Sequence, residues 1–205
     1  LARASERYLW TNCRHFVHRC FDPVTEQLQQ RHEDRDIVSL VEYVKDPVYS
    51  HASDAGADLK IVYAGIIIQD AADTGSVYHR RFMDMANSFA GDNLHLYIYP
   101  SPYLYGFGRP KAVEELIRTH RLANVHACEP LEEDEFVRAI STCDYGMSPP
   151  PDSRPCPYPD SLPYKVIAYL RAGLPIVVQE DLTYLAELVK KYDIGVVYRH
   201  EDLDD

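Results

Sequence analysis

The sequence lacks the marks of several specialised classes. No apolar run approaches the ~20 residues a helix needs to span a bilayer, and no charged-then-apolar leader opens the chain. Positive charge is scarce: 21 Lys and Arg stand against 32 Asp and Glu, a formal net charge of -11, and no basic stripe interrupts the acidic field. A polyanion would be repelled, so nucleic acid is excluded as the expected partner. The five cysteines, Cys13, Cys20, Cys128, Cys143 and Cys156, are odd in number, irregular in spacing and form no CxxC pair. They read as reduced thiols of a cytoplasmic protein. The nine histidines never fall at a tight ligand spacing beside carboxylates, so no metal site is expected, and no internal repeat is visible. The chain opens on Leu1 rather than Met and stops in an acidic stretch, as expected of a piece of a longer protein.

What is present is an alternation of short apolar runs with helical patterns, from Leu59 onward. "LKIVYAG" (Leu59–Gly65) reads as a strand buried on both faces and closed by glycine. A helix should follow, capped by Ser76 and carrying Phe82, Met85 and Phe89 at helical spacing. "NLHLYIYP" (Asn93–Pro100), "ANVHAC", "CDYGMSP", "PIVVQ" and "IGVVY" are the further strands. Between them lie "KAVEELIRTH", "LEEDEFVRAIS", the stretch Ser161–Ala172 and "LTYLAELVKKY", each with an apolar stripe at helical spacing. Such alternation implies right-handed crossovers and a Rossmann-like, doubly wound α/β domain over residues 59–205, with a mainly parallel sheet of about six strands and helices on both faces.

Residues 1–58 are less regular and read as an N-terminal or interdomain segment. Tyr8–Gln30 is expected to be partly helical, "IVSLVEYV" (Ile37–Val44) to form an additional strand, and Asp46–Asp58 to be a loop. "SPPPDSRPCPYPD" (Ser148–Asp160) is too rich in proline for helix or ladder and reads as a stiff exposed loop.

In an open parallel sheet, ligands gather beyond the carboxyl ends of the strands, where loops diverge and helix N-termini aim N–H groups into the crevice. Gly65, Tyr99–Pro102, the proline-rich loop, Ser161, Lys165 and Gln179–Asp181 all fall on that edge. Lys165 stands in the opening turn of its helix, where the dipole disfavours a cation. Either it faces solvent or an anion shares the helix start with it.

From Asn124 to Tyr198 the order of these pieces resembles the donor-binding half of GT-B glycosyltransferases. Asp144, Gly146 and Pro149 match that superfamily's strand-and-turn element; Pro163, Lys165, Tyr169, Leu170, Gly173 and Pro175 match its helix; Glu187 and Gly195 match its closing element. The resemblance implies a nucleotide diphosphate sugar as donor substrate and no bound cofactor. The diphosphate would lie at the start of the Ser161–Ala172 helix, with Lys165 neutralising it as leaving group. Gly65 would admit the phosphate or sugar, and Cys128, Glu129 and Pro130 would line the base pocket through backbone groups. No DxD pair stands at a strand end, so no metal is implied. The acceptor site and the catalytic base would come from a missing N-terminal Rossmann-like domain, leaving this chain inactive alone.

One position departs from the pattern. Ala168 stands where family members usually present a carboxylate to the ribose hydroxyls, and Ser161 where many carry a second acid. Asp160 or Glu180 would substitute, or the chain would be a degenerate donor-like domain used for binding or assembly without catalysis.

Overall fold

Apolar runs of four to seven residues, closed by glycine, proline or polar residues, fold into short parallel strands. The computed structural model describes residues 14–18, 22–39, 58–65, 93–102, 114, 117–118, 122–148 and 162–199. The elements in chain order are β1 (His15–His18), α1 (Asp22–Arg31), β2 (Asp36–Ser39), β3 (Leu59–Gly65), β4 (Leu94–Pro100), β5 (Val125–Ala127), α2 (Glu133–Ile140), β6 (Tyr145–Ser148), α3 (Tyr164–Arg171), β7 (Ile176–Gln179), α4 (Thr183–Tyr192) and β8 (Gly195–Tyr198).

The last six strands make one sheet in the order β5-β4-β3-β6-β7-β8, with every pairing parallel. This is the expected Rossmann-like architecture. Both faces are apolar, as a covered parallel sheet requires. Val62 and Ala64 of β3 point into one core with Val137, Ile140, Val166, Tyr169, Leu185 and Val189 of α2, α3 and α4. Ile61 and Tyr63, the alternate residues, point into the other with Leu96, Ile98, Leu122 and Ile117.

The helix that the spacing of Val113, Leu116, Ile117 and His120 predicts is described at Glu114, Ile117 and Arg118, all helical. The helix after Ser76 and the proline-rich loop from Pro149 onward lie outside the described residues.

Two glycines shape the half of the sheet that carries the site. A Cβ on Gly146 would stand 2.3 Å from Cγ of Tyr169, so only glycine lets that ring lie flat on β6. Gly173, at φ 76°, ends α3 in a Schellman motif: Leu174 N–H donates to Tyr169 C=O at 2.9 Å and Gly173 N–H to Leu170 C=O at 3.0 Å.

The N-terminal segment holds more order than its sequence suggests. β1 and β2 pair in parallel around α1, in a two-stranded sheet of their own. A strand at His15–His18 gives no usable signal, because its four residues carry two apolar side chains between histidines. β2 starts at Asp36, one residue before the expected strand, and residues 40–44 lie outside the described set. Among the described residues, no helix is long and apolar enough to cross a membrane.

Candidate functional site

The chain runs outward from β3 through β4 to β5, then returns to the other side of β3 as β6. The strand order thus reverses between β3 and β6, the place where an open parallel sheet offers a ligand crevice beyond its carboxyl ends. A cleft of about 480 Å³ is found there, a size suited to a small-molecule ligand. Its strand wall is Ala64 and Gly65 of β3 with Tyr99 and Pro100 of β4, whose ends lie in register. Leu131, Glu132, Glu133 and Phe136, at the start of α2, make a second wall. Tyr164, Lys165 and Ala168 of α3 make the third.

Lys165 is the cation of the cleft. Its Nζ lies 4.4 Å from the centroid of the Tyr63 ring, a cation–π contact beneath the end of β3. The residue as a whole retains some surface, but burial of the ammonium lowers its pKa from 10.5 to about 8. No carboxylate among the described residues pairs with it. Desolvation without a counter-ion is unfavourable for a lysine, and an anion entering the cleft would relieve it. The helix start sharpens this polarity, since the first turn of α3 contains no acidic residue.

Gly65 stands directly against this ammonium. A Cβ there would sit 3.2 Å from Lys165 Nζ and 3.1 Å from the Tyr63 hydroxyl, and the backbone φ of +150° is one that residues with side chains rarely adopt. Tyr169 fixes the strand end behind it. Its hydroxyl accepts from the Ala64 N–H at 2.8 Å and donates to the Met147 carbonyl at 3.2 Å, clamping β3 to β6 just below the cleft.

The second wall is acidic but mostly committed. Glu133 accepts from the Tyr164 hydroxyl at 2.8 Å and is ion-paired with Arg171, which also reaches Asp134 at 3.0 Å. Arg171 is largely buried, and these pairs hold the start of α2 against α3. Phe136 meets Tyr99 edge to face, with centroids 5.2 Å apart, and the Tyr99 hydroxyl is held above its ordinary pKa by burial and then by Cys128. Among the described residues, no three His, Cys, Asp or Glu side chains group as metal ligands would.

The structure thus brings Gly65, Lys165 and Ala168 into one cleft. Glu129 and Glu180 are exposed and do not appear on its walls; the Glu180 N–H is bonded to the Tyr198 carbonyl. Asp160 and Ser161 lie outside the described residues. Sequence reasoning missed Tyr63, which reads only as an inward residue of a strand. It also missed Glu132 and Glu133, which read as the solvated face of an amphipathic helix. Pairing between the starts of two helices leaves no local pattern.

No protein-family model and no curated protein sequence matches the chain. Solved structures do match in shape. The pneumococcal O-GlcNAc transferase GtfA, in complex with UDP and GlcNAc, superposes with a TM-score of 0.55 at 14% identity, over 84% of this chain and 32% of its own. The likeness is one of fold: the six-stranded parallel sheet and its helices match one half of a GT-B glycosyltransferase. A chain of the GtfA/B complex gives a TM-score of 0.49 at 14% identity, over 83% of this chain and 32% of its own. This chain therefore spans about a third of the length of the structures it resembles.

Proposed function

We propose that this chain is the donor-binding half of a GT-B glycosyltransferase and holds a nucleoside diphosphate sugar in the cleft described above. The single observation that carries the reading is the Lys165 ammonium: desolvated, without a carboxylate partner among the described residues, and placed in the first turn of α3 beside Gly65. A diphosphate there would receive charge from Lys165 and hydrogen bonds from the helix start, and the same contacts would stabilise it as the leaving group. Gly65, lacking a side chain, leaves room for phosphate oxygens to approach the backbone. The GT-B-like shape supports the assignment, and the UDP complex of GtfA makes UDP the first donor nucleotide to test. The acceptor and the base that activates it would be supplied by a further Rossmann-like domain of the same protein, in a cytoplasmic setting.

The test is calorimetric titration with UDP and GDP. Wild type should bind one of them, Lys165→Ala should weaken that binding by about 1.5–3 kcal/mol, the range for hydrogen bonds to charged groups, and Lys190→Ala, on exposed α4 surface, should change little. Equal binding by wild type and Lys165→Ala would sink the assignment.

A second reading is favoured by Ala168, whose methyl group lines the cleft where the GT-B pattern usually carries a carboxylate. On that reading the domain binds or assembles without catalysing transfer. A full-length protein that binds UDP but neither transfers nor hydrolyses a UDP-sugar would favour it.

A further inference from the structure

The cleft has two polar ends of opposite sign. The α3 end offers Lys165 and a first turn free of acids, whereas the first turn of α2 carries Glu133, Asp134 and Glu135, preceded by Glu132 at the N-cap. An anionic group is therefore drawn to α3 and repelled from α2. The part of the ligand that lies against α2 must be uncharged or must donate hydrogen bonds. Of the two carboxylates on that wall, Glu133 is already occupied by Tyr164 and Arg171. Glu132 is not: its side chain makes no capping bond, and no hydrogen bond or ion pair with another described residue engages it. Helix N-caps are usually residues whose side chains satisfy the first free N–H groups, so a glutamate here contributes little to its own helix. Across the cleft, the side chains of Ala64 and Ala168 offer no acceptor.

We propose that Glu132 is the second anchor of the bound nucleotide, its carboxylate accepting a pair of adjacent donors on the part of the ligand remote from the diphosphate. This rests on the donor-binding reading given above and adds the residue that fixes the ligand's orientation and selects its chemistry. An ionised carboxylate has two oxygens and no hydrogen to give, so it suits two neighbouring donors and discriminates against ligands that lack them. Two parts of a nucleotide present such a pair: the cis-diol of the ribose, and the paired N–H groups on the edge of guanine. Glu132 takes this role from a different wall than Ala168 occupies, so the methyl group at 168 does not leave the nucleoside unanchored.

The experiment is calorimetric titration of the whole chain with UDP, 2′,3′-dideoxy-UDP and GDP, for wild type, Glu132→Gln and Glu135→Gln. Residue 132 is exposed, so folding should be retained, and far-UV circular dichroism checks it. If the diol is the partner, Glu132→Gln weakens UDP about tenfold and leaves the dideoxy nucleotide as in wild type. If the base edge is the partner, Glu132→Gln weakens GDP and leaves both uridine nucleotides unchanged. Glu135→Gln, off the cleft wall, changes none of them. Unchanged or tighter binding of all three nucleotides by Glu132→Gln overturns the anchor while leaving the donor-binding reading intact. Wild type that binds no nucleotide overturns the reading itself, and the anchor with it.

Discussion

The ammonium of Lys165 lies over the ring of Tyr63, 4.4 Å from its centroid, so the cation is held by a neutral π-face where an ion pair would be the usual solution. This leaves its positive charge available to a ligand. It also leaves the folded protein carrying a desolvated charge that nothing among the described residues neutralises.

The first prediction follows from that cost. Lysine 165 has its pKa lowered to about 8 by burial, against 10.5 in the ordinary state. The unfolded chain therefore binds more protons than the folded one between those values, and wild-type stability should rise with pH across that window. Lys165→Met should be more stable than wild type at pH 7, and the difference in Tm should shrink as pH passes from 8 toward 10. The same variant should lose affinity for nucleoside diphosphates. Thermal melts of both proteins from pH 7 to 10 measure it, and a constant Tm difference would contradict it.

A second prediction concerns the clamp behind the cleft. Tyr169→Phe leaves the Ala64 N–H and the Met147 carbonyl buried without a partner, at a cost of about 1–3 kcal/mol for groups so stranded. Gly146→Ala drives a methyl into the Tyr169 ring, and overpacking of this kind costs roughly 1–3 kcal/mol. Both changes act through one side chain, and a ring displaced by the methyl at 146 already strains the hydroxyl's two bonds, so urea denaturation of the double variant should show less than the sum of the single losses.

At the opposite end of the sheet, Asp58, His95 and His126 form a chain. His95 Nδ1 lies 2.8 Å from His126 Nε2, and His95 Nε2 lies 3.3 Å from the Asp58 carboxylate. The His126 pKa is lowered, first by burial and then by His95. A histidine whose folded pKa is depressed contributes stability that is present above its unfolded pKa of about 6.5 and is lost as pH falls through the folded value. Stability should thus drop on acidification below pH 6.5, and His126→Phe should flatten the drop. Denaturant midpoints at pH 5 and pH 7.5 for both proteins decide it; an unaltered drop in the variant would assign the loss elsewhere.

A fourth prediction lies at the end of α4. Asp193 sits at φ 51°, ψ 46°, a left-handed conformation, in the closing turn where the Ile194 N–H returns to the Val189 carbonyl. That conformation costs an L residue roughly 1–2 kcal/mol, and glycine bears no such penalty. Asp193→Gly should raise Tm, and a fall in a calorimetric scan would refute it.

These residues show how far the sequence could be read. Apolar runs and helical spacing locate the six strands of the main sheet, because burial on both faces writes a continuous signal into each strand. Gly173 stands out in the sequence as part of the GT-B-like helix pattern, and the structure gives it a different reason from burial, a backbone angle of φ 76° that favours glycine. Gly65 and Lys165 stand out as a glycine ending a strand and a cation opening a helix, and they share the cleft. What escaped were relations between distant segments: Tyr63 under Lys165, Glu133 with Tyr164 and Arg171, and the His95–His126 pair. Each depends on which strands are neighbours, and no local period records that. In the N-terminal segment the strand from Ile37 and some helix within Tyr8–Gln30 were legible, whereas β1 escaped because its two apolar residues lie between histidines and make no continuous apolar run.

The order of strands also sets a timetable for synthesis. β3 is the first strand of the large sheet to leave the ribosome, yet one of its two neighbours is β6, and Lys60 must wait for Asp144, 84 positions later. At translation rates of about 5–20 residues per second, that edge of β3 stays unpaired for roughly 4–17 seconds. Released chains ending before Tyr145 should therefore self-associate through β3, and chains extended past Ser148 should not, a difference that light scattering of the two truncations would reveal. The placement of β3 beside the cleft thereby also leaves this strand vulnerable while the chain is being made.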